Sequence, residues 1–386
     1  MGSRYMRYLP ALEAGLLDAV LREWQLACPQ LGVLALLPEA EKAAVVQLQA
    51  TCVRHKIPLV GAVFPALIES GEFRSHGAWL LGFDEMPYVA LHADLSPDAE
   101  EAGHIAEVIA TGVLAQIDHT PEVTLFLLFD AMVPNIGTLL DELYLRLANR
   151  VHYVGANAGS ESFQPMPCLF DSERLISNGV LVMLLKPHRG AILAHGYTAP
   201  EHLISATSTA GNCIIHVDWR PAFDVYQERV RAQYGIEITR ENFYEYAVHF
   251  PFGILRANHE VLVRIPVALK DDGALFCVGE VPPHSVLTLL DAPTVDSVHT
   301  LQSLLKEFST LNGPLAGIDL LLFYCAGRRM HLGNDAACNE LRELAHRSQA
   351  AQIAGALSLG EIGSSTQWGY PLFHNAALVA TRWGSE

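Results

Sequence analysis

Two strand-length apolar runs of this chain are near copies of each other. LFLLFDA at residues 125–131 matches IDLLLFYCA at 318–326, and each is followed by a loop, a helical segment and a strand that ends in Gly-Ala. The Gly-Ala ending occurs three times, within residues 58–72, 152–162 and 352–365. A glycine at a fixed place after a strand indicates a backbone that turns tightly or approaches another group closely. Duplication of a sheet-edge turn that holds no ligand would leave the same pattern.

The apolar runs alternate with segments of helical periodicity, and this alternation predicts the fold class. Continuous apolar strands joined through helices are typical of sheets covered by helices. We therefore predict an α/β fold with mixed sheets, built as two related α/β lobes with internal duplication. A chain of 386 residues also exceeds most single cores. We place the domains at residues 1–219 and 220–386, with the central segment 186–222 near the junction.

Short connections between apolar runs predict three hairpins. Their strands are Gly77–Phe83 with Tyr88–His92, Met166–Phe170 with Gly179–Leu185, and Ala274–Gly279 with Ser285–Leu290. The sequence Ser-Pro-Asp at residues 96–98 predicts a helix start with Ser96 as the N-cap and Pro97 at the first helical position.

Charge and composition exclude several classes of partner. The formal net charge of −17 argues against nucleic acid and against anionic membrane surfaces, because both are bound through Lys and Arg. No apolar run approaches the roughly 20 residues of a membrane span, and the amino-terminal residues lack a signal-peptide pattern. The seven cysteines are widely spaced, which favours reduced thiols over a disulfide framework. We expect a soluble cytoplasmic protein.

Two residues suggest nucleophilic chemistry, and each also has a structural interpretation. Ser358 follows a strand in the run ALSLG, but a nucleophile elbow needs a helix directly afterwards, and a loop follows here. Cys325 precedes two arginines, which would lower the pKa of an exposed thiol, although a small core residue at a strand end is more common. No general base is placed beside either residue by the sequence, so we do not expect an enzyme.

His195 is the candidate metal ligand. It precedes Gly196 at a turn after an apolar strand, so it is held by strands without lying inside one. His188, His195 and His202 are spaced by seven residues, and this spacing alone does not support a three-histidine site. A hydrogen-bonded structural histidine is the alternative interpretation.

Three elements of the C-terminal half resemble a known family. They are the CAGR sequence beginning at Cys325, the GEIG sequence beginning at Gly360, and the His-Asn pair at residues 374–375. Together with the Gly-Ala loops of the N-terminal half, these elements are similar to those of the FIST family, sensory proteins with an N-terminal and a C-terminal FIST domain. The resemblance extends from about Leu31 to Ala380. It implies a ligand-sensing role in signal transduction.

The chain further resembles the nitric-oxide-sensing haemoproteins of the NosP type. That branch implies non-covalent haem b and nitric oxide as ligands, and a histidine kinase or a cyclic-di-GMP enzyme as partner, with effects on biofilm. His195 would then be the axial ligand, Tyr197 would lie beside the haem, and Arg189 or Arg328 would pair with the propionates. The resemblance leaves a homodimer open.

A haem-free sensor of a small molecule such as an amino acid is the alternative. In that case Arg328 would bind a carboxylate, and Glu361 and Asn375 would complete the site. A salt bridge that stabilises the C-terminal lobe would use the same residue types.

Overall fold

The computed structural model describes residues 3–117, 122–200, 202–256, 260–290 and 297–384. Within these ranges the α/β class is confirmed, with four sheets and nine α-helices. No helix of the described residues is long and apolar enough to cross a membrane.

The same order of elements occurs three times. The first repeat, residues 3–83, contains β1 (Ser3–Leu9), α1 (Ala14–Ala27), β2 (Gly32–Pro38), α2 (Val45–His55), β3 (Leu59–Phe64), β4 (Ala66–Glu69), β5 (Glu72–Arg74) and β6 (Ala78–Phe83). The second repeat, residues 88–185, contains β7 (Tyr88–His92), α3 (Ala99–Leu114), β8 (Thr124–Asp130), α4 (Ile136–Leu147), β9 (His152–Ala158), β10 (Leu169–Asp171), β11 (Leu175–Ile176) and β12 (Val180–Leu185). The two runs that match in sequence are thus part of a threefold pattern.

The third repeat is interrupted by an insertion. It begins with β13 (Ala191–Ala194) and resumes at residue 298 with α7 (Val298–Asn312), β22 (Asp319–Cys325), α8 (Ala326–Leu332), α9 (Asn334–Ser348), β23 (Gln352–Ser358), β24 (Glu361–Gly363), β25 (Leu372–His374) and β26 (Leu378–Trp383). The insertion, residues 204–289, contains β14 (Ile204–Ala210), β15 (Cys213–Val217), β16 (Arg220–Pro221), α5 (Ala222–Tyr234), α6 (Phe243–Tyr246), β17 (Phe252–Leu255), β18 (Val261–Arg264), β19 (Pro266–Leu269), β20 (Leu275–Cys277) and β21 (Val286–Leu289).

The three repeats exchange hairpins in a cycle. Each repeat has a central parallel pair, β2 with β3, β8 with β9, or β22 with β23. The hairpin that follows each pair joins the sheet of another repeat: β4–β5 pairs with β23, β10–β11 with β3, and β24–β25 with β9. Each of the three sheets built around these parallel pairs therefore contains strands from two repeats.

The three Gly-Ala glycines lie where these hairpins cross. Gly61, Gly155 and Gly355 pair with Phe170, Ile362 and Ile68 of the incoming hairpins. On the other side, a Cβ at each glycine would lie 2.1 to 2.3 Å from a carbonyl oxygen of the neighbouring parallel strand. The predicted close approach is confirmed, and the group approached is the adjacent strand.

The inner faces of the three sheets share one core. The Phe323 ring packs at a tilt against Phe64 and Phe126, with ring centroids 5.6 and 6.1 Å apart, so a single aromatic cluster joins the three repeats. Burial of such rings supplies much of the free energy of folding. The insertion has a separate core under a curled sheet whose edge strands, β18 and β19, are separated by Ile265 alone.

The predicted hairpins are wrong in their pairing. β6 and β7 belong to different sheets, as do β10 and β12, and β20 does not pair with β21. The strands themselves lie close to their predicted positions, because an apolar run is a local property while its partner is a tertiary one.

The N-cap of α3 is Asp98 instead of the predicted Ser96, and the Asp98 side chain accepts a hydrogen bond from the Glu100 N–H at 2.9 Å. The division at residues 219 and 220 stays a prediction.

Candidate functional site

A cavity of about 560 Å³ lies between the second repeat, the insertion and the third repeat. Its wall is largely aliphatic and aromatic, and it includes Val133, Val248, Ile265, Val267, Phe276, Val278 and Phe373. This size and lining are typical of sites for small organic ligands.

The mouth of the cavity exposes apolar side chains. Met132, Tyr244 and Met330 line it and are 39%, 64% and 56% exposed. Glu161 also lines it, and Arg329 of α8 neutralises this carboxylate at 2.6 Å. An apolar molecule can therefore enter without passing an unpaired charge at this pair.

Two buried amides form the polar floor. Asn157 is in β9 and Asn375 follows β25, and both side chains line the cavity while being at most 1% exposed. Among the described residues, neither the Asn157 Oδ1 nor its Nδ2 has a hydrogen-bond partner, and the Asn375 Nδ2 has none. Unpartnered buried amides destabilise a fold, so they suggest that a ligand completes their hydrogen bonds.

The Cys325 thiol lies at the inner end of the cavity, where β22 ends. The N–H groups of Gly327, Arg328 and Ala376 donate hydrogen bonds to its sulfur, the last at 3.0 Å. Burial raises the pKa of this thiol, as does the carboxyl of Glu361, while the three N–H groups act in the opposite direction. The thiol is therefore protonated but held among groups that would stabilise a thiolate.

Glu361 is fully buried, and the Cys325 thiol lies beside its carboxyl. The Ser358 hydroxyl donates a hydrogen bond to the Glu361 Oε1 at 2.5 Å, and the Ala377 N–H donates to its Oε2 at 3.3 Å. Burial raises the pKa of Glu361 to about 8 despite these bonds. A carboxyl with this pKa can accept or donate a proton near neutral pH. Ser358 is completely buried and does not line the cavity, so it is not placed as a nucleophile.

His195 lies outside the cavity lining, and both of its ring nitrogens form hydrogen bonds. Nδ1 accepts from the Tyr197 N–H at 3.0 Å, and the other nitrogen bonds the Val261 carbonyl. Burial and the nearby Arg328 charge lower the pKa of His195 to about 4. Its ring also stacks against His374, with centroids 5.7 Å apart. This arrangement does not fit an axial haem ligand, because a coordinating nitrogen would first have to give up one of these bonds.

The other residues predicted to bind haem do not surround His195 as a group. Tyr197 packs beside it within a small apolar cluster, whereas Arg189 lies at the opposite end of β13 and pairs with Glu122 at 3.1 Å. No group of three metal-ligating side chains occurs in the described ranges.

Arg328 is fully buried and is committed to the structure. It forms a two-bond ion pair with Glu340 at 2.6 and 2.8 Å, and its Nη1 donates to the His195 carbonyl at 2.7 Å. The Tyr324 hydroxyl donates to the same carboxylate. Of the three residues predicted for an amino acid, Asn375 alone lines the cavity, and the salt-bridge alternative describes Arg328 better.

Sequence reasoning missed Asn157 as a site residue and the pairing of Cys325 with Glu361. Asn157 belongs to the GANAG sequence at residues 155–159, which was recognised for its glycines. Cys325 and Glu361 each belong to a recognisable element, but they lie 36 positions apart in the sequence, and nothing local shows that the chain brings them together.

Comparisons with known proteins identify both halves of the chain. The FIST N domain matches residues 30–220, and the FIST C domain matches residues 222–364. No curated protein matches the chain. A crystal structure of phosphoribosylformylglycinamidine synthase II from Thermotoga maritima was also found, with 10% identity and a TM-score of 0.19 over 98% of this chain and 72% of that chain. A score this low carries nothing about the fold.

Proposed function

This chain belongs to the FIST family of sensory domains, and we propose that it senses a small, neutral, mainly apolar molecule bound in the cavity. The observation that carries this proposal is the Asn157 amide and the Asn375 Nδ2, which lie buried in a largely apolar wall without a hydrogen-bond partner among the described residues, whereas the Asn375 Oδ1 accepts from the Ile265 N–H at 3.1 Å. They match a ligand with one hydroxyl, carbonyl or amide group on an apolar body. Arg328 is paired with Glu340, and the described residues that line the cavity include no lysine, arginine or histidine to bind a carboxylate, which disfavours a free amino acid.

A signal can arise because the ligand would contact three parts of the fold, namely the second repeat, the insertion and the third repeat. The insertion is held to the second repeat by Glu280, which accepts hydrogen bonds from the Thr138 N–H at 2.9 Å and the Thr138 hydroxyl at 2.6 Å. The third repeat reaches the cavity through Cys325 and Phe373. A ligand that contacts all three favours one arrangement of them, and a partner such as a histidine kinase would respond to that arrangement.

Binding of 1-octanol, leucine and octanoate tests this proposal. We expect 1-octanol to raise the melting temperature and to bind at least about tenfold more tightly than the two charged probes. Asn157→Leu should weaken 1-octanol binding, whereas Asn312→Leu, which removes a buried amide in α7, should not. Equal binding to both variants, or preferred binding of leucine, would contradict the proposal.

Haem binding and nitric oxide sensing remain a separate hypothesis. It requires one ring nitrogen of His195 to give up its bond, either with the Tyr197 N–H or with the Val261 carbonyl. Absorption spectra of the haem-reconstituted protein test it directly. A spectrum that changes with nitric oxide and is lost in His195→Ala would support haem ligation, and an identical spectrum in the variant would reject His195.

A further inference from the structure

Cys325 differs from the other thiols of the chain in its surroundings. All seven cysteines lie in the described ranges and are free and buried, and Cys325 is the one among them that lines the cavity. Its sulfur therefore faces the space that the proposed ligand occupies.

The groups around this sulfur form a proton-transfer arrangement. Three backbone N–H groups lie near it, the closest that of Ala376 at 3.0 Å, and the Glu361 carboxyl lies beside it. The arrangement depends on the hairpin exchange, because β24 carries Glu361 to β9 of the second repeat, next to the end of β22. A thiol with an adjacent proton acceptor and N–H donors is prepared for nucleophilic addition.

The unpartnered amides suggest what the thiol adds to. Asn157 offers both a free donor and a free acceptor, and a hydroxyl group is the small group that uses both. Asn375 offers a further donor, suited to a carbonyl oxygen or to the oxygen that develops from it. The oxygen of a carbonyl group would accept a hydrogen bond from Asn375. On addition this oxygen becomes a hydroxyl group, which can both donate to and accept from Asn157.

We infer that Cys325 captures a lipophilic aldehyde as a reversible hemithioacetal. The Cys325 sulfur forms a bond to the aldehyde carbon, and the π bond of the carbonyl breaks. The thiol proton passes to Glu361, and a proton from Glu361 ends on the former carbonyl oxygen. Thiol and aldehyde supply all the atoms, so no oxidant or reductant takes part. The inference rests on the proposed function, since it assigns the ligand chemistry of the same cavity.

Reversibility suits such a sensor. The apolar wall and the exposed methionines of the mouth accept an alkyl chain, and the covalent bond adds selectivity for an aldehyde over the matching alcohol. The affinity for the alcohol then measures non-covalent binding in the cavity. The difference in affinity between the aldehyde and the alcohol measures the contribution of the covalent bond to the thiol.

The test uses the full-length protein with octanal labelled with ¹³C at its carbonyl carbon, and with 1-octanol as the matched non-electrophile. We expect the carbonyl resonance to move to the tetrahedral-carbon region on addition of wild-type protein. Cys325→Ala should lose this resonance and at least about tenfold of the octanal affinity, a larger loss than that of the 1-octanol affinity. Cys338→Ala, which removes a buried thiol of α9 outside the cavity, should behave as wild type. Glu361→Gln should form the adduct about a hundredfold more slowly.

Each outcome separates the inference from the proposed function. If 1-octanol binds but no tetrahedral carbon appears, the inference is wrong and the proposed function stands. An adduct that persists in Cys325→Ala, or an imine formed on lysine, also overturns it. If neither compound binds the wild-type protein, both proposals fail. Should Cys325→Ala not fold, Cys325→Ser replaces it, because a hydroxyl adds to aldehydes far more weakly while retaining the hydrogen bonds.

Discussion

The Ala376 backbone N–H donates a hydrogen bond to the Cys325 sulfur at 3.0 Å, and Ala376 adopts a left-handed conformation with φ of 55°. The second repeat has an equivalent turn, where Asn178 has φ of 47° and its N–H donates to the Asp130 Oδ2 at 2.6 Å. Both residues lie two positions before the last long strand of their repeat. Asparagine tolerates this conformation better than alanine. The third repeat therefore keeps a strained turn at Ala376, whose N–H contacts the Cys325 thiol at the position where the second repeat has the Asp130 carboxylate.

Removal of the unpartnered Asn157 amide should stabilise the ligand-free protein. Asn157→Leu replaces a buried polar group without partners by an apolar side chain of similar volume. We expect the free energy of unfolding to rise by about 1–2 kcal/mol while ligand affinity falls. Urea denaturation measures the first quantity and calorimetry the second. A destabilised variant would mean that the amide has a partner in solution.

The Arg328–Glu340 pair should behave as a buried ion pair of the core. Arg328→Met alone leaves a buried carboxylate and should destabilise the fold by about 3–5 kcal/mol, whereas the double variant with Glu340→Leu should recover much of this loss. Denaturation of the two single variants and the double variant measures the coupling. Additive losses would contradict the prediction.

The glycine at a hairpin crossing should not tolerate a methyl group. A Cβ on Gly355 would lie 2.1 Å from the Leu322 carbonyl oxygen, so Gly355→Ala must separate β22 from β23 and should destabilise the protein by several kcal/mol, on the order of the largest single-residue effects. Gly15→Ala is the matched control, because this position in α1 has open space around its Cβ. There we expect a gain of about 0.5–1 kcal/mol from helix propensity. Thermal unfolding of both variants tests the pair.

Acid should destabilise the protein through His188. Its Nδ1 lies 2.8 Å from the Thr124 Oγ1 and its Nε2 lies 3.0 Å from the Arg382 carbonyl oxygen. Burial lowers its pKa from 6.5 to about 4, and the nearby His152 and Arg382 add to this effect. As the pH falls from 6.5 to 4, the unfolded chain binds a proton that the folded chain excludes, so the free energy of unfolding falls, by about 3 kcal/mol for this residue.

The measurement is urea denaturation between pH 7 and pH 4. His188→Gln should be less stable at pH 7, but its stability should depend less steeply on pH than that of the wild type. Parallel pH profiles for wild type and His188→Gln would contradict the prediction.

The candidate site was only partly accessible from the sequence. The CAGR and GEIG elements pointed to Cys325 and Glu361, and the family was recognised from them. His195 is a candidate ligand in the sequence because a residue beside a glycine turn is commonly exposed. In the fold, the Tyr197 N–H and the Val261 carbonyl contact its two ring nitrogens. The partner of Arg328, Glu340, lies in the next helix and belongs to no motif, so the sequence alone does not distinguish a ligand contact of Arg328 from a salt bridge.

The amino-acid sequence by itself determined the strands, the helices, the α/β class and the repeated plan, because apolar periodicity and glycine placement act within a few residues. Tertiary structure alone decided which sheet each strand joins. The hydrogen-bonding edge and the apolar face of one strand are much like those of another, so the local sequence does not select a partner strand. Here the apolar faces are buried in an arrangement in which the three repeats exchange hairpins. That exchange brings Glu361 to Cys325 and leaves two amides facing an apolar cavity, a relationship between residues far apart in the chain.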